Sequence, residues 1–347
     1  MRNNRLLYIL IFILMVWCAI LSSDRFPKNN REVSGIVNQY EVDGFSTDLT
    51  KVVDEVSSGV VTVNADGNIQ SGFVYRQEDE NVYIVTAYHG VSNVNGINVT
   101  LGSTYTVSAE LIGHDIFTDV AVLRASTPYI IEPLKLGDAT LLKKGEFLLC
   151  IGTPVSMDYQ GSAELAMVSS PLIQLENSIL TDEERYIYFL NMIQLNSQLV
   201  PGYSGSPLFD MGGEVVGMTT MSSNNNLSFS LTSNEVKIVA DQLIATGQVS
   251  RRFPGIKGTY LQDMHNYEKS ALNIPLDSLE GLYVTRIRET GLAYLAGVRN
   301  GDVIVSIDGE EIRNLSSYLK AVYTAEEDID IVFIRNGERM TGVIEND

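Results

Sequence analysis

Ser204 stands between glycines in Gly202-Tyr203-Ser204-Gly205, just ahead of the apolar Pro207-Leu208-Phe209. A serine hydroxyl is a weak nucleophile at neutral pH. It needs a base to take its proton and donors to hold the oxyanion its attack creates. Gly202 lets the backbone turn so that its own N–H and that of Ser204 can point into one small hole. Taken alone, the stretch also reads as a Gly/Ser-rich turn between strands, so the case depends on a base and an acid elsewhere. His89 follows the apolar run Val82 to Ala87, which would present an imidazole at a surface on an anchored backbone. Asp119 precedes the apolar Val120 to Leu123, where a partly buried carboxylate can hold an imidazole in one tautomer. A lone loop histidine or a turn aspartate usually has no such role. His114 and Asp115 occupy the same loop as Asp119 and are the alternatives, although neither directly abuts an apolar strand. His89 as base, Asp119 as orienting acid and Ser204 as nucleophile are the candidate catalytic residues, with the N–H groups of Gly202 and Ser204 as the oxyanion hole.

The elements that must position these residues read as mainly β. From Gly59 to about Leu231 short apolar or alternating runs recur with turn signals between them, including Val60–Val63, Gly72–Tyr75, Val82–Thr86, Tyr105–Leu111, Val120–Leu123 and Phe147–Ile151. Such spacing indicates a sandwich or a pair of barrels, not alternating βα units. A helix with Thr47 as N-cap is expected over Thr47–Val56, with Leu49, Val52, Val53 and Val56 on one face. A second is expected over Ser233–Ile244, ended by Gly247. After a connector at Gln248–Phe253 comes an α+β unit. It has strands near Gly258–Leu261, Gly281–Ile287 and Val303–Ile307, and helices at Leu292–Ala296 and Leu315–Tyr323. Its closing hairpin is built on Asn336-Gly337.

Length and composition set outer bounds. The 347 residues suffice for two or three domains, and 45% apolar residues with 28 glycines suit a loop-rich globular protein. A net charge of −19, from 43 acidic against 24 basic residues, argues against a nucleic-acid partner. Cys18 and Cys150 are too differently placed to pair, and Cys150 reads as a small buried hydrophobe. Three scattered histidines and the lack of an HExxH pattern leave no metal site, and no cofactor is expected. Basic Met1–Arg5 is followed by an uninterrupted apolar run of 16 residues, Leu6–Leu21. As a helix it spans about 24 Å against a bilayer core of roughly 30 Å. A cleaved signal peptide and an uncleaved signal anchor both suit this pattern. The missing small-x-small cleavage site before Asp24 favours the anchor, with the chain beyond it exported. The expected division is an anchor at 1–23, a polar tether at 24–45, a domain carrying the candidate catalytic residues at 46–247 and a C-terminal domain at 252–347.

The chain order His89, Asp119, Ser204 is that of chymotrypsin-type double β-barrels. Thr86-Ala-Tyr-His89, Thr118-Asp-Val-Ala-Val122 and Pro201-Gly-Tyr-Ser-Gly-Ser-Pro207 resemble the motifs of the HtrA family of serine proteases. So do Leu136-Gly-Asp138, Cys150-Ile-Gly-Thr-Pro154 and Glu214-Val-Val-Gly217. The C-terminal unit looks like a PDZ domain, through Gly281-Leu-Tyr-Val284, Ala296-Gly-Val298 and Gly301-Asp-Val-Ile-Val305. One membrane segment, one protease domain and one PDZ unit are similar to the DegS type. The resemblance implies an ATP-independent serine endopeptidase acting in envelope stress signalling or protein quality control. It also implies homotrimers, an inner-membrane anchor with the catalytic domain on the periplasmic side, and a PDZ domain that binds protein C-termini. Peptide contacts would fall on Phe253, Gly255 and Ile256, with Pro254 lacking one N–H donor. An inactive peptide-binding or chaperone-like scaffold of the same fold is the alternative. Three departures stand out. Tyr203 and Ser206 replace the family's usual Asn and Gly. The Asp119–Ser204 spacing is long, with the excess assigned to Gln174–Phe189, whose Thr181–Arg185 reads as an exposed loop or short helix. The Asn196–Val200 stretch carries no acid, so a small or apolar P1 residue is expected.

Overall fold

The computed structural model describes residues 12–17, 45–180, 185–223, 227–251, 255–324 and 328–344. It divides into two units, Met1–Leu49 and Thr50–Asp347. In the first unit residues 12–17 are helical and exposed. The rest of the expected anchor and the tether before Phe45 lie outside the described residues. Among the described residues no helix is long and apolar enough to cross a membrane.

Helix α1 (Phe45–Val56) leads into the second unit. It starts two residues earlier than expected, so Thr47 lies in its first turn. The expected stripe holds: Val52 and Val56 are buried. Two closed six-stranded barrels follow. The first contains β1 (Val60–Ala65), β2 (Asn68–Glu78), β3 (Asn81–Ala87), β4 (Ile97–Leu101), β5 (Tyr105–Asp115) and β6 (Val120–Ser126). Pairing of β1 with β4 closes it. Alternate residues such as Val61, Val63, Val74, Ile84, Val99 and Leu123 fill its interior, as period-2 alternation in a small barrel demands. The second barrel contains β7 (Phe147–Gly152), β8 (Ser162–Leu180), β9 (Arg185–Leu195), β10 (Pro207–Phe209), β11 (Val215–Ser223) and β12 (Leu227–Thr232). Leu148, Cys150, Ile193, Leu195 and Leu208 form its core. Burial raises the Cys150 thiol to about 12, in keeping with an inert hydrophobe.

Gln174–Phe189, where the extra length is expected, belongs to a long β8–β9 hairpin, paired from Val168↔Leu195 out to Leu180↔Arg185; the loop or short helix expected at Thr181–Arg185 falls on its tip. That tip, residues 181–184, lies outside the described residues. Polar Glu176, Asn177 and Ser178 mimic loop composition. Alternate burial of Tyr188, Leu190 and Met192 is nonetheless a strand signature.

Helix α2 (Ser233–Thr246) closes the barrels and ends at Gly247, whose N–H caps the Leu243 carbonyl. The C-terminal unit orders its sheet β13-β14-β15-β17-β18, with β16 beside β15. Its elements are β13 (Ile256–Tyr260), α3 (Asn266–Ala271), β14 (Leu282–Ile287), α4 (Leu292–Leu295), β15 (Val303–Ile307), β16 (Glu310–Glu311), α5 (Leu315–Thr324), β17 (Ile329–Arg335) and β18 (Glu338–Ile344). Asn336 and Gly337 take φ of 52° and 83°, the pair of positive angles that a two-residue hairpin turn requires. Helix α3 was not anticipated, because its six residues lack a readable apolar period.

Candidate active site

Strand register brings the first two candidate residues together. Ala87, the last residue of β3, lies opposite Val120, the first of β6. The residues just beyond both ends must therefore face one another. Tyr88 N–H donates to the Asp119 carbonyl at 2.9 Å. Asp119 adopts φ of 60°, a left-handed conformation that Asp tolerates better than most side chains. That conformation turns its carboxylate back onto the short helical turn Tyr88–Gly90. Oδ1 accepts the His89 backbone N–H at 2.8 Å, and Oδ2 lies 2.6 Å from His89 Nδ1. The other ring nitrogen, Nε2, lies 3.1 Å from Ser204 Oγ.

One imidazole thus bridges a carboxylate and a hydroxyl. The hydrogen bond with Asp119 raises the His89 pKa above its usual 6.5, and burial only partly opposes this. With Nδ1 held by Asp119, Nε2 of the neutral ring is left to accept the Ser204 proton. His114 and Asp115 are not part of this arrangement. Both end β5, nearer an apolar strand than expected. His114 stacks on Tyr88, and Asp115 is buried against Arg251.

The loop before Ser204 turns at Gly202, with φ of 100°. A Cβ there would lie 2.3 Å from the Thr153 carbonyl, so no other residue fits without a shift. The Pro201 carbonyl accepts the Val155 N–H at 2.9 Å. A trans peptide sends its N–H the opposite way, so Gly202 N–H points away from Val155. Among the described residues neither the Gly202 nor the Ser204 N–H donates to a protein acceptor. Both remain for a ligand oxygen.

Tyr203 and Ser206 leave this loop intact. The Tyr203 ring is buried in the second barrel's core, and Ser206 is fully buried beneath the loop. Gly152 makes room for both: a Cβ there would lie 2.9 Å from the Tyr203 ring and 2.2 Å from Ser206 Oγ.

Comparison with known proteins agrees with this geometry. Residues 70–218 match the trypsin-like peptidase domain family, and residues 283–335 match the PDZ domain family. The chain is 29% identical over 259 residues to the serine protease Do-like HtrB of Bacillus subtilis, covering 73% of this chain and 56% of that protein. It is 30% identical over 284 residues to a serine protease HtrA-like protein of Staphylococcus epidermidis, covering 79% of this chain and 48% of that one. The chain is a homologue of the HtrA/Do serine proteases. It spans about half the length of these two relatives. Among solved structures, the HtrA-type protease AlgW with tripeptide shares its fold, with a TM-score of 0.59 at 23% identity over 85% of this chain and 95% of that one. A serine endoprotease from Yersinia pestis gives a TM-score of 0.52 at 22% identity, over 86% and 98% of the two chains.

The PDZ unit of this HtrA/Do homologue is packed against its protease barrels. Of the expected peptide contacts, Phe253 lies outside the described residues, as does Pro254. The Gly255 carbonyl accepts the Arg288 N–H at 3.0 Å, and buried Ile256 pairs with Ile287. Ile256 opens β13, directly after Gly255, and β13 has β14 on one side only and so presents a free edge. That edge is partly taken. Gly258 N–H donates to Gln174 Oε1 of the β8–β9 hairpin at 2.8 Å. Helix α5 is held to α2 by Asn234 Nδ2 donating to Ser316 Oγ and Gln242 Nε2 donating to the Tyr323 carbonyl, each at 2.9 Å. A cluster that sequence reading missed lies between them. The Arg251 guanidinium sits 5.3 Å from the Phe117 ring and 4.9 Å from the Tyr323 ring. The Tyr323 hydroxyl donates to buried Glu235 at 2.6 Å.

Proposed function

We propose that this chain is a serine endopeptidase of the HtrA type, with His89, Asp119 and Ser204 as its catalytic residues. The observation that carries the reading is the single imidazole set between a carboxylate at 2.6 Å and a serine hydroxyl at 3.1 Å. Ser204 Oγ attacks the peptide carbonyl while His89 Nε2 takes its proton. The Gly202 and Ser204 N–H groups hold the oxyanion. His89 then protonates the leaving amine, and water repeats the sequence to release the acyl group. Asp119 keeps the imidazole oriented and stabilises its charged form throughout.

The domain division proposed is an anchor at 1–23, a tether at 24–45, the protease at 46–247 and the PDZ domain at 252–347. The apolar run Leu6–Leu21 behind basic Met1–Arg5 supports a membrane-tethered protein whose catalytic domain is on the extracytoplasmic side. There it would cleave misfolded or regulatory envelope proteins in a stress response, as a homotrimer. The PDZ match and the free edge of β13 support capture of protein C-termini, and AlgW is itself described with bound peptides. The Asn196–Val200 stretch, free of acids, supports a small or apolar P1 residue.

Incubation of the purified chain with an unfolded protein and a P1-varied peptide panel tests the reading. Cleavage after small or apolar residues that disappears in Ser204→Ala is expected. A wild-type chain that cleaves nothing, with or without C-terminal peptides, would leave only a peptide-binding scaffold. A profile dominated by Arg or Lys at P1 would overturn the specificity.

A further inference from the structure

The two proposed oxyanion donors belong to a loop of the second barrel, yet the peptide planes next to them are held by one residue of the first. Ser71 lies on β2 and is fully buried. Its hydroxyl donates to the Gly202 carbonyl at 2.7 Å and accepts the Thr153 N–H at 2.8 Å. One donor and one acceptor use up the single O–H and one lone pair of a hydroxyl, so its rotor has one satisfied setting. Its backbone N–H donates to the Ser204 carbonyl at 2.9 Å, and its own carbonyl accepts Thr86 Oγ1 at 2.6 Å. Ser71 therefore holds the carbonyls of both Gly202 and Ser204, on the peptide planes that directly follow the two proposed oxyanion donors. On the other side of Gly202, the Val155 N–H grips the Pro201 carbonyl. The Thr153 N–H that Ser71 accepts comes from the same short segment. Every peptide plane bordering Gly202 is thus tied either to Ser71 or to the Thr153–Val155 segment.

The neighbouring residues of β2 brace the histidine side in the same way. Asn68 Nδ2 donates to the Gly90 carbonyl at 3.0 Å, and Gln70 Nε2 donates to the Ala87 carbonyl at 2.9 Å. The start of this one strand holds the ends of the His89 turn and the loop of Ser204 together. Val155 makes the clamp unusual. Its φ of 62° places a β-branched residue in the left-handed region, a backbone setting that persists only where surrounding contacts over-determine it. Its side chain is 67% exposed, so packing does not account for the conformation. Two hydrogen bonds hold it: the Ser156 N–H closes a tight turn on the Pro154 carbonyl at 2.6 Å, and the Val155 N–H reaches Pro201.

We propose that Ser71 is a positioning residue for the proposed protease. Its hydroxyl fixes the Gly202–Tyr203 peptide plane while the Val155 N–H fixes the Pro201–Gly202 plane that carries the Gly202 N–H, so that together they set the backbone angles of Gly202 and preform the oxyanion hole from the opposite barrel. This role rests on the serine protease reading. It makes no contact with substrate and takes no proton. Its effect is confined to the stage at which charge develops on the carbonyl oxygen, so it belongs to kcat and not to substrate binding.

Kinetics of full-length Ser71→Ala, with active sites titrated, test the proposal. We expect kcat to fall roughly 10- to 100-fold with KM within about threefold, since losing a whole oxyanion donor costs on the order of 10² to 10³. The pH midpoint set by His89 stays in place, because nothing on the imidazole changes. A fall in melting temperature with unchanged kcat per active site would make Ser71 structural and overturn the proposal. A second measurement uses wild-type protein alone. A peptide boronic acid takes the Ser204 oxygen onto boron, with the hydroxyl proton passing to His89, and gives a tetrahedral adduct. In its crystal structure we expect a boron-bound oxygen on the Gly202 and Ser204 N–H groups, with the Gly202 carbonyl still on Ser71 Oγ. An adduct whose Gly202 carbonyl has left Ser71 overturns the clamp even if Ser71→Ala does not fold. An active wild type with an equally active Ser71→Ala overturns the clamp alone. A wild type that neither cleaves nor takes up the boronate overturns the protease reading and this role together.

Discussion

Asp115 and Asp119 leave the same loop four residues apart and end in opposite surroundings. The Asp119 side chain is 26% exposed and faces an imidazole, while that of Asp115 is 6% exposed and faces a guanidinium. Asp115 also accepts the Thr118 N–H at 3.0 Å, and its partner Arg251 lies between Phe117 and Tyr323. An arginine never gives up its proton, so this pair can only hold structure together. An imidazole can give up its proton, so the other pair can do chemistry. The partner's titration range, more than the burial of the acid, separates a catalytic carboxylate from a structural one. Substituting each acid should therefore break different things. Asp119→Asn should lower kcat by about 10⁴ while leaving the melting temperature near wild type, because it leaves the imidazole in the wrong tautomer. Asp115→Ala should do the reverse. It removes the carboxylate paired with a buried guanidinium, a loss that typically costs about 3 to 5 kcal/mol, and denaturant melts should show it. The kcat of its folded fraction should change little.

Activity and stability answer pH in opposite senses: cleavage rises with pH, while the stability that either cluster gives falls. The bond to Asp119 raises the His89 pKa above 6.5, and only the neutral imidazole can accept the Ser204 proton. Cleavage should rise with pH through a midpoint above 6.5, and in Asp119→Asn that midpoint should drop, as initial rates across a buffer series would record. The same raised value means that the charged His89–Asp119 pair favours the folded state at low pH. That contribution is lost as pH climbs through the folded midpoint. On the other side, burial raises Glu235 to about 7 from an ordinary 4.5, with the Tyr323 hydrogen bond and Arg251 opposing. The folded chain holds a proton there that the unfolded chain releases. The stability this gives is full below about 4.5 and is lost as pH rises through about 7. Urea melts of wild type across that window should show the decline, and Glu235→Gln should flatten it.

What could be read from sequence follows the range of each interaction. His89, Asp119 and Ser204 were legible because each abuts a strand whose apolar pattern is local, and strand pairing then joins them. The Asn336-Gly337 hairpin was legible for the same reason, since its turn chemistry lies within two residues. Ser71 was not, because its contact with Gly202 spans 131 positions and its neighbours resemble any strand. Arg251 was passed over as a connector residue, since its partners Asp115 and Tyr323 come from two different parts of the fold. The departures Tyr203 and Ser206 could be noticed but not resolved. Their fit depends on Gly152, a strand residue with no local reason to be glycine. The arms of the β8–β9 hairpin were not read as strands, because their exposed half carries loop-like polar residues.

That hairpin supplies the smallest of the expected effects and the finest contrast between the two sites. The Ser204 loop is tied down by its clamp yet leaves its two donors open. The β13 edge, where a peptide strand would add, already has its Gly258 N–H donated to Gln174. Gln174 is itself buried and steadied by its Nε2 bond to Asn191 at 3.2 Å. Glu176 adds ion pairs to Arg286 and Arg288, but exposed pairs of this kind contribute little. A C-terminal peptide pairing along β13 must therefore displace one amide oxygen of the protease domain before it gains the Gly258 bond. A hydrogen bond of this type is worth about 0.5 to 1.5 kcal/mol net, so the competition should weaken peptide binding by roughly 2- to 12-fold. Gln174→Ala should tighten binding of a labelled peptide with an apolar C-terminus by that factor, as fluorescence anisotropy would measure. Asp119→Asn, which alters only the distant triad, should not. Equal affinities in wild type and Gln174→Ala would mean that peptides do not use the Gly258 N–H, and that the edge of β13 is not where they bind.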